Sequence, residues 1–92
     1  MNTAGRRVYP GPDGELPHME PGDYGKDAQG RWFALPPDTD YGGGYGCYLN
    51  QPGHGWQVEE HHDGTISVTP SIHVSPPNGW HGFLEYGVWR KV

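Results

Sequence analysis

The chain has 92 residues, which is the size of one small domain. Gly and Pro account for 16 and 10 of them and apolar residues for only 33%, so part of the chain is too poor in apolar side chains to form a core, and burial must rely largely on the aromatic rings. The formal net charge of −5 repels phosphate groups and therefore argues against nucleic acid and anionic membranes as partners.

Residues 1–30 are rich in Gly and Pro, and their scattered apolar residues follow neither the period of a strand nor that of a helix. We therefore predict an extended Gly/Pro-rich arm over residues 1–30 and a small antiparallel β domain over residues 31–92. Such an arm either docks on a partner or folds back on the chain's own sheet, and the sequence leaves both alternatives open.

The middle of the chain predicts one strand and one loop. The apolar run of residues 31–35 is closed by Pro36-Pro37, which is long enough for a strand and too short for a helix. The glycine-rich run that follows, residues 41–48, carries three tyrosines among residues that disfavour regular structure. We expect a loop here whose rings are available for contact.

Apolar and polar residues alternate on both sides of Asp63-Gly64, which is typical of a β-hairpin. A three-residue loop over residues 62–64, with Gly64 left-handed, pairs Val58 with Val68 and Trp56 with Pro70. This register places the apolar residues on one face, whereas a two-residue loop would divide them between both faces. The three-residue loop is therefore predicted.

The last residues predict a second hairpin of the same kind. A three-residue loop over residues 85–87 pairs Leu84 with Val88 and Phe83 with Trp89, so that both faces carry apolar residues. No long helical period occurs anywhere in the chain. The predicted fold class is all-β, a small antiparallel sheet of two hairpins preceded by the extended arm, with little or no helix.

Six histidines and one cysteine raise the possibility of a zinc site, because zinc prefers these ligands. No ligand pair has the usual spacing, and the four candidates fall on different predicted elements: Cys47, His54, His73 and His81. The run at residues 59–62 has two Glu and two His, but strand neighbours point to opposite faces, so it divides into pairs on a solvated surface. We predict no catalytic residue and no cofactor, with zinc as the alternative.

The C-terminal half contains five recognisable segments: Gly55-Trp56-Gln57-Val58, Asp63-Gly64-Thr65-Ile66-Ser67-Val68, Thr69-Pro70-Ser71-Ile72, Gly79-Trp80-His81-Gly82-Phe83-Leu84 and Glu85-Tyr86-Gly87-Val88-Trp89. On these motifs, residues 31–92 resemble small proteins of the domain-of-unknown-function family 6527. Members recur in bacteriophages, especially those of actinobacteria, and beside bacterial ubiquitin-like conjugation genes, where a metal-binding role has been supposed. Fuller forms of the family carry cysteines where this chain has Asn78, Gly79 and Trp80. The resemblance thus leaves Cys47 and His81 as the metal ligands, if a metal is bound.

We expect a non-enzymatic, phage-type structural or interaction protein that docks on a larger assembly, such as a virion surface in a capsid-decoration or minor structural role, or that forms a homo-oligomer. A zinc-binding accessory module and an anti-defence binding protein are the alternatives. The residues predicted to contact the partner are Tyr9, Tyr24, Tyr41, Tyr45 and Tyr48. Since Cys47 has no second cysteine to pair with and no apolar stretch follows the basic residues near the start, we expect the virion or the host cytoplasm and no signal peptide.

Overall fold

A computed structural model describes residues 2–38, 47–53, 55–74 and 79–92. Within these residues the chain forms strands and no helix, and so no helix that could cross a membrane. The strands are β1 (Asn2–Ala4), β2 (Arg6–Val8), β3 (Asp23–Lys26), β4 (Trp32–Ala34), β5 (Cys47–Tyr48), β6 (Gln57–Glu60), β7 (Ile66–Val74), β8 (Trp80–Glu85) and β9 (Val88–Lys91). The predicted all-β class is confirmed, and β4 lies within the strand predicted over residues 31–35.

The strands form two sheets. The large sheet has the order β1-β9-β8-β7-β6 with every pair antiparallel, and the small sheet has the order β2-β3-β4-β5, in which β2 runs parallel to β3. The chain passes from one sheet to the other at Gly5, whose N–H donates to the carbonyl oxygen of Gly87 at 2.8 Å. A Cβ at Gly5 would lie 2.9 Å from the carbonyl oxygens of Gly22 and Gly87, so this corner requires glycine.

The main core contains residues from both sheets and from the loop after β5. Its members are Tyr24, Trp32, Ala34, Leu49, Ile66, Val68, Ile72, Trp80, Leu84 and Trp89. Burial alternates along β8, where Trp80, Gly82 and Leu84 are buried while their neighbours are not. The rings of Trp80 and Trp89 meet edge to face at 5.3 Å, and the indole N–H of Trp89 donates to the carbonyl oxygen of Gly22 at 2.9 Å. Large rings thus supply much of the core, as the composition predicts.

A second, smaller apolar cluster covers the other face of the small sheet. The connection from β2 to β3 places Leu16 and Met19 against Val8, Phe33 and Leu35. This cluster leaves no room for a side chain at residue 25 of β3. A Cβ there would collide with the carbonyl oxygen of Val8 and would lie 3.2 Å from a methyl group of Leu16.

Two buried carboxylates fix the ends of β3. Asp23 receives two hydrogen bonds from the guanidinium of Arg6, at 3.0 and 2.8 Å. Asp27 accepts from the Arg31 guanidinium at 2.7 Å and from the backbone N–H groups of Gln29 and Arg31, each at 2.9 Å. Burial opposes the ionisation of Asp27, but the hydrogen bonds from Arg31 and Gln29 outweigh it and lower the pKa of this carboxyl.

The segment predicted to be an arm contributes β1, β2 and β3 and buries Val8, Met19 and Tyr24. Of the two alternatives left open by the sequence, the structure corresponds to folding back on the chain's own sheets. The boundary predicted between residues 30 and 31 lies in the turn that joins β3 to β4. Strands of only three or four residues are too short to give a periodic pattern, which is why the sequence does not reveal them.

The predicted β6–β7 hairpin is confirmed. Val58 pairs with Val68, Gly64 has φ +89°, and the N–H of His61 donates to the carbonyl oxygen of Thr65 at 2.8 Å, closing the three-residue loop. Strand β6 begins at Gln57, so the predicted pairing of Trp56 with Pro70 lies beyond the strand.

The predicted register of the last hairpin is wrong. Leu84 pairs with Trp89 and Glu85 with Val88, so the loop has two residues, Tyr86 and Gly87, with φ of +50° and +76°. This register puts Leu84 and Trp89 together on the buried face, which the three-residue loop would not do. The sequence prediction failed because tyrosine rarely adopts the left-handed conformation that such a short turn requires.

Candidate functional site

The five tyrosines predicted to bind a partner lie in different environments. Tyr9 follows β2 and is 62% exposed, whereas Tyr24 belongs to the main core and is 2% exposed, so its ring is not available at the surface. Burial also raises the pKa of the Tyr24 hydroxyl. Tyr48 is half-buried, with its ring 5.1 Å from that of Phe33. Tyr41 and Tyr45 lie outside the described residues.

Arg7 connects the small sheet to the β6–β7 turn. Its guanidinium donates to the carbonyl oxygen of Gly64 at 2.7 Å and to the carboxylate of Glu60 at 3.1 Å. The same group lies 4.8 Å from the ring centres of both Tyr9 and Trp32. Because only 13% of the Arg7 side chain is exposed, these contacts are largely shielded from water, and the turn is held firmly against β2.

Tyr9 extends from this arginine toward the tip of the turn. Its hydroxyl lies 3.5 Å from the place that a Cβ at Gly64 would occupy. Within the turn, Asp63 accepts hydrogen bonds from the hydroxyl of Thr65 at 2.6 Å and from its N–H at 3.0 Å. These bonds lower the pKa of Asp63 and keep an exposed negative charge in the turn.

Tyr86 also lies beside the β6–β7 turn. Its ring stacks on His61, with ring centres 4.1 Å apart and planes 12° apart. The hydroxyl of Ser67 is 2.8 Å from Nε2 of His61 and accepts from the N–H of Tyr86 at 3.0 Å. Two hairpin turns are therefore joined by one serine and one ring stack. The Tyr86 ring is held in place although Tyr86 is 67% exposed.

The backbone of Tyr86 is in an uncommon conformation. A φ of +50° is left-handed, and two-residue turns of this kind normally carry Asn, Asp or Gly at that position. The left-handed conformation costs an ordinary residue about 1–2 kcal/mol, and an exposed ring recovers little of this by burial. An exposed aromatic residue in a strained backbone conformation is a candidate for a functional role.

We define the turn surface as Tyr9, His61, Asp63, Gly64 and Tyr86. It consists of the β6–β7 turn and two exposed tyrosines beside it; Arg7 donates to the carbonyl oxygen of Gly64, and Ser67 accepts from the N–H of Tyr86. Tyr9 is among the residues predicted from the sequence to contact a partner, whereas Tyr86 is not. The sequence offered one signal for Tyr86. Tyr86-Gly87 stands between two apolar runs, where a two-residue hairpin turn usually has Asn-Gly.

Glu60 provides the electrostatic link behind this surface. The hydrogen bond from Arg7 lowers the pKa of the Glu60 carboxyl, burial partly opposes this, and the positive charges of Lys26 and Arg7 add to the lowering. The Lys26 ammonium lies 3.5 Å from the carboxylate. Glu60 thus joins a cation of β2 and one of β3 to the edge strand of the large sheet.

The two residues suggested as metal ligands lie on opposite sides of the large sheet. Cys47 is half-buried and packs against the main core, whereas His81 is exposed on the face that points away from that core. His81 and Cys47 are therefore not brought together. Across the described ranges, no group of three or more His, Cys, Asp or Glu residues is arranged to hold a metal ion.

Comparisons with known proteins give no assignment. No protein-family model matches the chain, and neither a curated protein nor a solved structure matches it. The resemblance to family 6527 therefore stays a prediction.

Proposed function

We propose that this protein works by non-catalytic binding, docking through the turn surface onto a larger protein assembly. The observation that carries the proposal is Tyr86, an exposed ring on a left-handed backbone that is fixed by a stack with His61. Tyrosines that are exposed in the free protein and buried on binding are typical anchors of protein interfaces. The functional reason for keeping Tyr86 is then the area it buries in the partner.

The anchoring of both rings supports this proposal. Tyr86 is held by His61 and by a backbone bond to Ser67, while Tyr9 lies over the guanidinium of Arg7. Side chains that are ordered before binding lose less conformational entropy in the complex. An interface built on fixed tyrosines therefore gains more net affinity per buried ring than one built on mobile side chains.

The negative net charge of the chain favours a partner with basic groups around the pockets that receive Tyr9 and Tyr86. The chain has eleven acids and six Lys and Arg residues, and five of those six cations already form ion pairs within the chain. The excess of acids gives the chain its net negative charge, and one exposed acid, Asp63, lies in the turn surface itself. Complementary charge of this kind raises association rates and selects partners.

A virion surface is the assembly that the resemblance to phage proteins favours, in a capsid-decoration or minor structural role. An anti-defence role would use the same binding chemistry on a host protein. The zinc-module alternative rests on Cys47 and His81 and makes a different prediction, because folding would then depend on metal.

Site-specific photo-crosslinking in the native expression host tests the proposal. A benzophenone amino acid replaces Tyr86 or Tyr9, and as a control replaces Glu15, which is exposed in the connection that covers the opposite face of the small sheet. We expect one crosslinked protein shared by positions 86 and 9 and absent at position 15. Equal crosslinking at all three positions, or none above background at 86 and 9, would contradict the proposal.

A further inference from the structure

Two histidines face each other at the other end of β7 and β8, away from the turn surface. His73 and His81 are directly paired in the ladder, and both are exposed on the outer face of the large sheet. Their ring centres are 4.9 Å apart, and the ring planes are inclined by 37°. Paired strands hold such side chains at a fixed spacing, because opposite Cβ atoms are only about 4.5–5.5 Å apart.

A neighbouring serine orients one of the two rings. Nε2 of His81 lies 3.1 Å from the hydroxyl oxygen of Ser71, which is on the same face of β7 as His73. When Nε2–H donates to this oxygen, Nδ1 is the nitrogen with a free lone pair. Metal-binding histidines usually have this arrangement, with one nitrogen bound to the metal and the other to a protein oxygen that fixes the tautomer.

We propose that His73 and His81 form a site for a divalent transition-metal ion that prefers imidazole, such as Cu²⁺ or Ni²⁺, with water completing the coordination. With metal–nitrogen bonds of about 2.0 Å and ring centres about 1.1 Å behind the nitrogen atoms, two imidazoles bound to one ion at about 90–110° have centres about 4.4–5.1 Å apart. The observed 4.9 Å lies inside this interval. Ser71 orients the His81 ring, and the exposed His73 ring can turn about χ2 to bring a nitrogen to the same ion without movement of the backbone.

The ligand set distinguishes this site from the one suggested by the sequence. Two imidazoles without a thiolate favour Cu²⁺ and Ni²⁺, whose square-planar or tetragonal shells accept nitrogen and water, over a structural zinc site that needs four protein ligands. The site depends on the sheet being folded, whereas the sheet does not depend on the site, because the main core lies on the other face. Metal binding here is therefore separate from folding and from the turn surface.

Titration of the purified chain with Ni²⁺ in a calorimeter tests this site. We expect one ion per chain, with an affinity that falls by about tenfold or more in His73→Gln and in His81→Gln, because each variant turns a chelate into a single ligand. The matched controls are His18→Gln and His62→Gln, which remove exposed histidines elsewhere and should leave the affinity unchanged.

A second measurement uses the wild-type chain and needs no variant. Cu²⁺ is paramagnetic and broadens the NMR signals of nearby nuclei. At less than one equivalent it should broaden the amide signals of residues 71–73 and 80–82 before those of β3. Broadening centred on Cys47, or an affinity for Ni²⁺ that is the same in all four variants, would overturn the proposal.

Discussion

The ring of Tyr86 stacks on the ring of His61 at 4.1 Å, and this contact joins the tips of two hairpins that are separated by 25 positions in the chain. The hydroxyl of Ser67 contacts both residues: it lies 2.8 Å from Nε2 of His61 and accepts a hydrogen bond from the N–H of Tyr86 at 3.0 Å. The stack is worth about 0.5–1.5 kcal/mol, while the left-handed backbone of Tyr86 costs about 1–2 kcal/mol. The two contributions nearly cancel, so we expect Tyr86 to have little net effect on the free energy of unfolding.

Replacement of Tyr86 by Asn tests this balance. Asparagine favours the left-handed turn conformation but gives up the stack on His61. We expect the free energy of unfolding of Tyr86→Asn to stay within about 1 kcal/mol of wild type, as measured by urea denaturation followed by tryptophan fluorescence. Crosslinking from Tyr9 to the partner should be lost in the same variant.

Tyr86→Phe is the control for this prediction. It keeps the ring and the stack, so it should retain both stability and partner contact unless the partner binds the hydroxyl. A loss of more than about 2 kcal/mol in Tyr86→Asn would mean that Tyr86 acts mainly in folding, and the case for a binding role would fail.

The hairpins illustrate what a single sequence can and cannot predict. The β6–β7 loop was predictable because Asp63-Gly64 is a common turn pair and only one register collects the apolar residues on one face. The β8–β9 loop was not, because Tyr86 breaks the turn preference that would have identified it. The turn surface was not predictable for the same reason, since Tyr86 departs from the residue preference of its turn.

The N-terminal strands were unpredictable for a different reason. β1 pairs with β9 across nearly the whole chain, and β2 pairs with β3 in parallel through a long connection. Such contacts depend on partners distant in sequence and leave no local period. The high Gly and Pro content suggested a flexible segment. It could not show that Gly5 and Gly25 are needed for close packing rather than for flexibility.

Hydrogen exchange tests whether the N-terminal segment is folded in the isolated chain. The N–H of Gly5 donates to Gly87, that of Gly22 donates to Leu35 at 2.6 Å, and that of Leu35 donates to Asp23 at 2.8 Å. We expect these three amides to exchange far more slowly than in an unfolded peptide, with the Leu84 amide as the core reference. Exchange at unfolded rates for Gly5 and Gly22 would instead favour an arm that becomes ordered only on a partner.

Addition of one methyl group at residue 25 tests the second apolar cluster. In Gly25→Ala the new carbon meets the carbonyl oxygen of Val8 and a methyl group of Leu16, so β2 and the connection above it must move. We expect a loss of about 1–3 kcal/mol in urea denaturation. The matched control is Gly55→Ala, where the new carbon has no described atom within 4 Å and should change stability by less than about 1 kcal/mol. Equal effects in both variants would contradict the packing described here.

The pH dependence of stability should report the link between Glu60 and Arg7. The pKa of Glu60 is lowered in the folded chain, so its contribution is present above the ordinary value of 4.5 and is lost as the pH falls through the folded pKa. Glu60→Gln should therefore lose less stability than wild type between about pH 5 and pH 3.

The size of this effect is limited by solvent. The Glu60 side chain is 42% exposed, so the loss in Glu60→Gln at pH 7 should stay below about 1 kcal/mol. Glu59→Gln, on the opposite face of the same strand, changes charge equally without touching Arg7 and is the matched control. Urea denaturation of both variants at pH 7 and pH 3 gives the comparison. The same pH response in both variants would mean that Arg7 holds the β6–β7 turn through the Gly64 carbonyl oxygen alone.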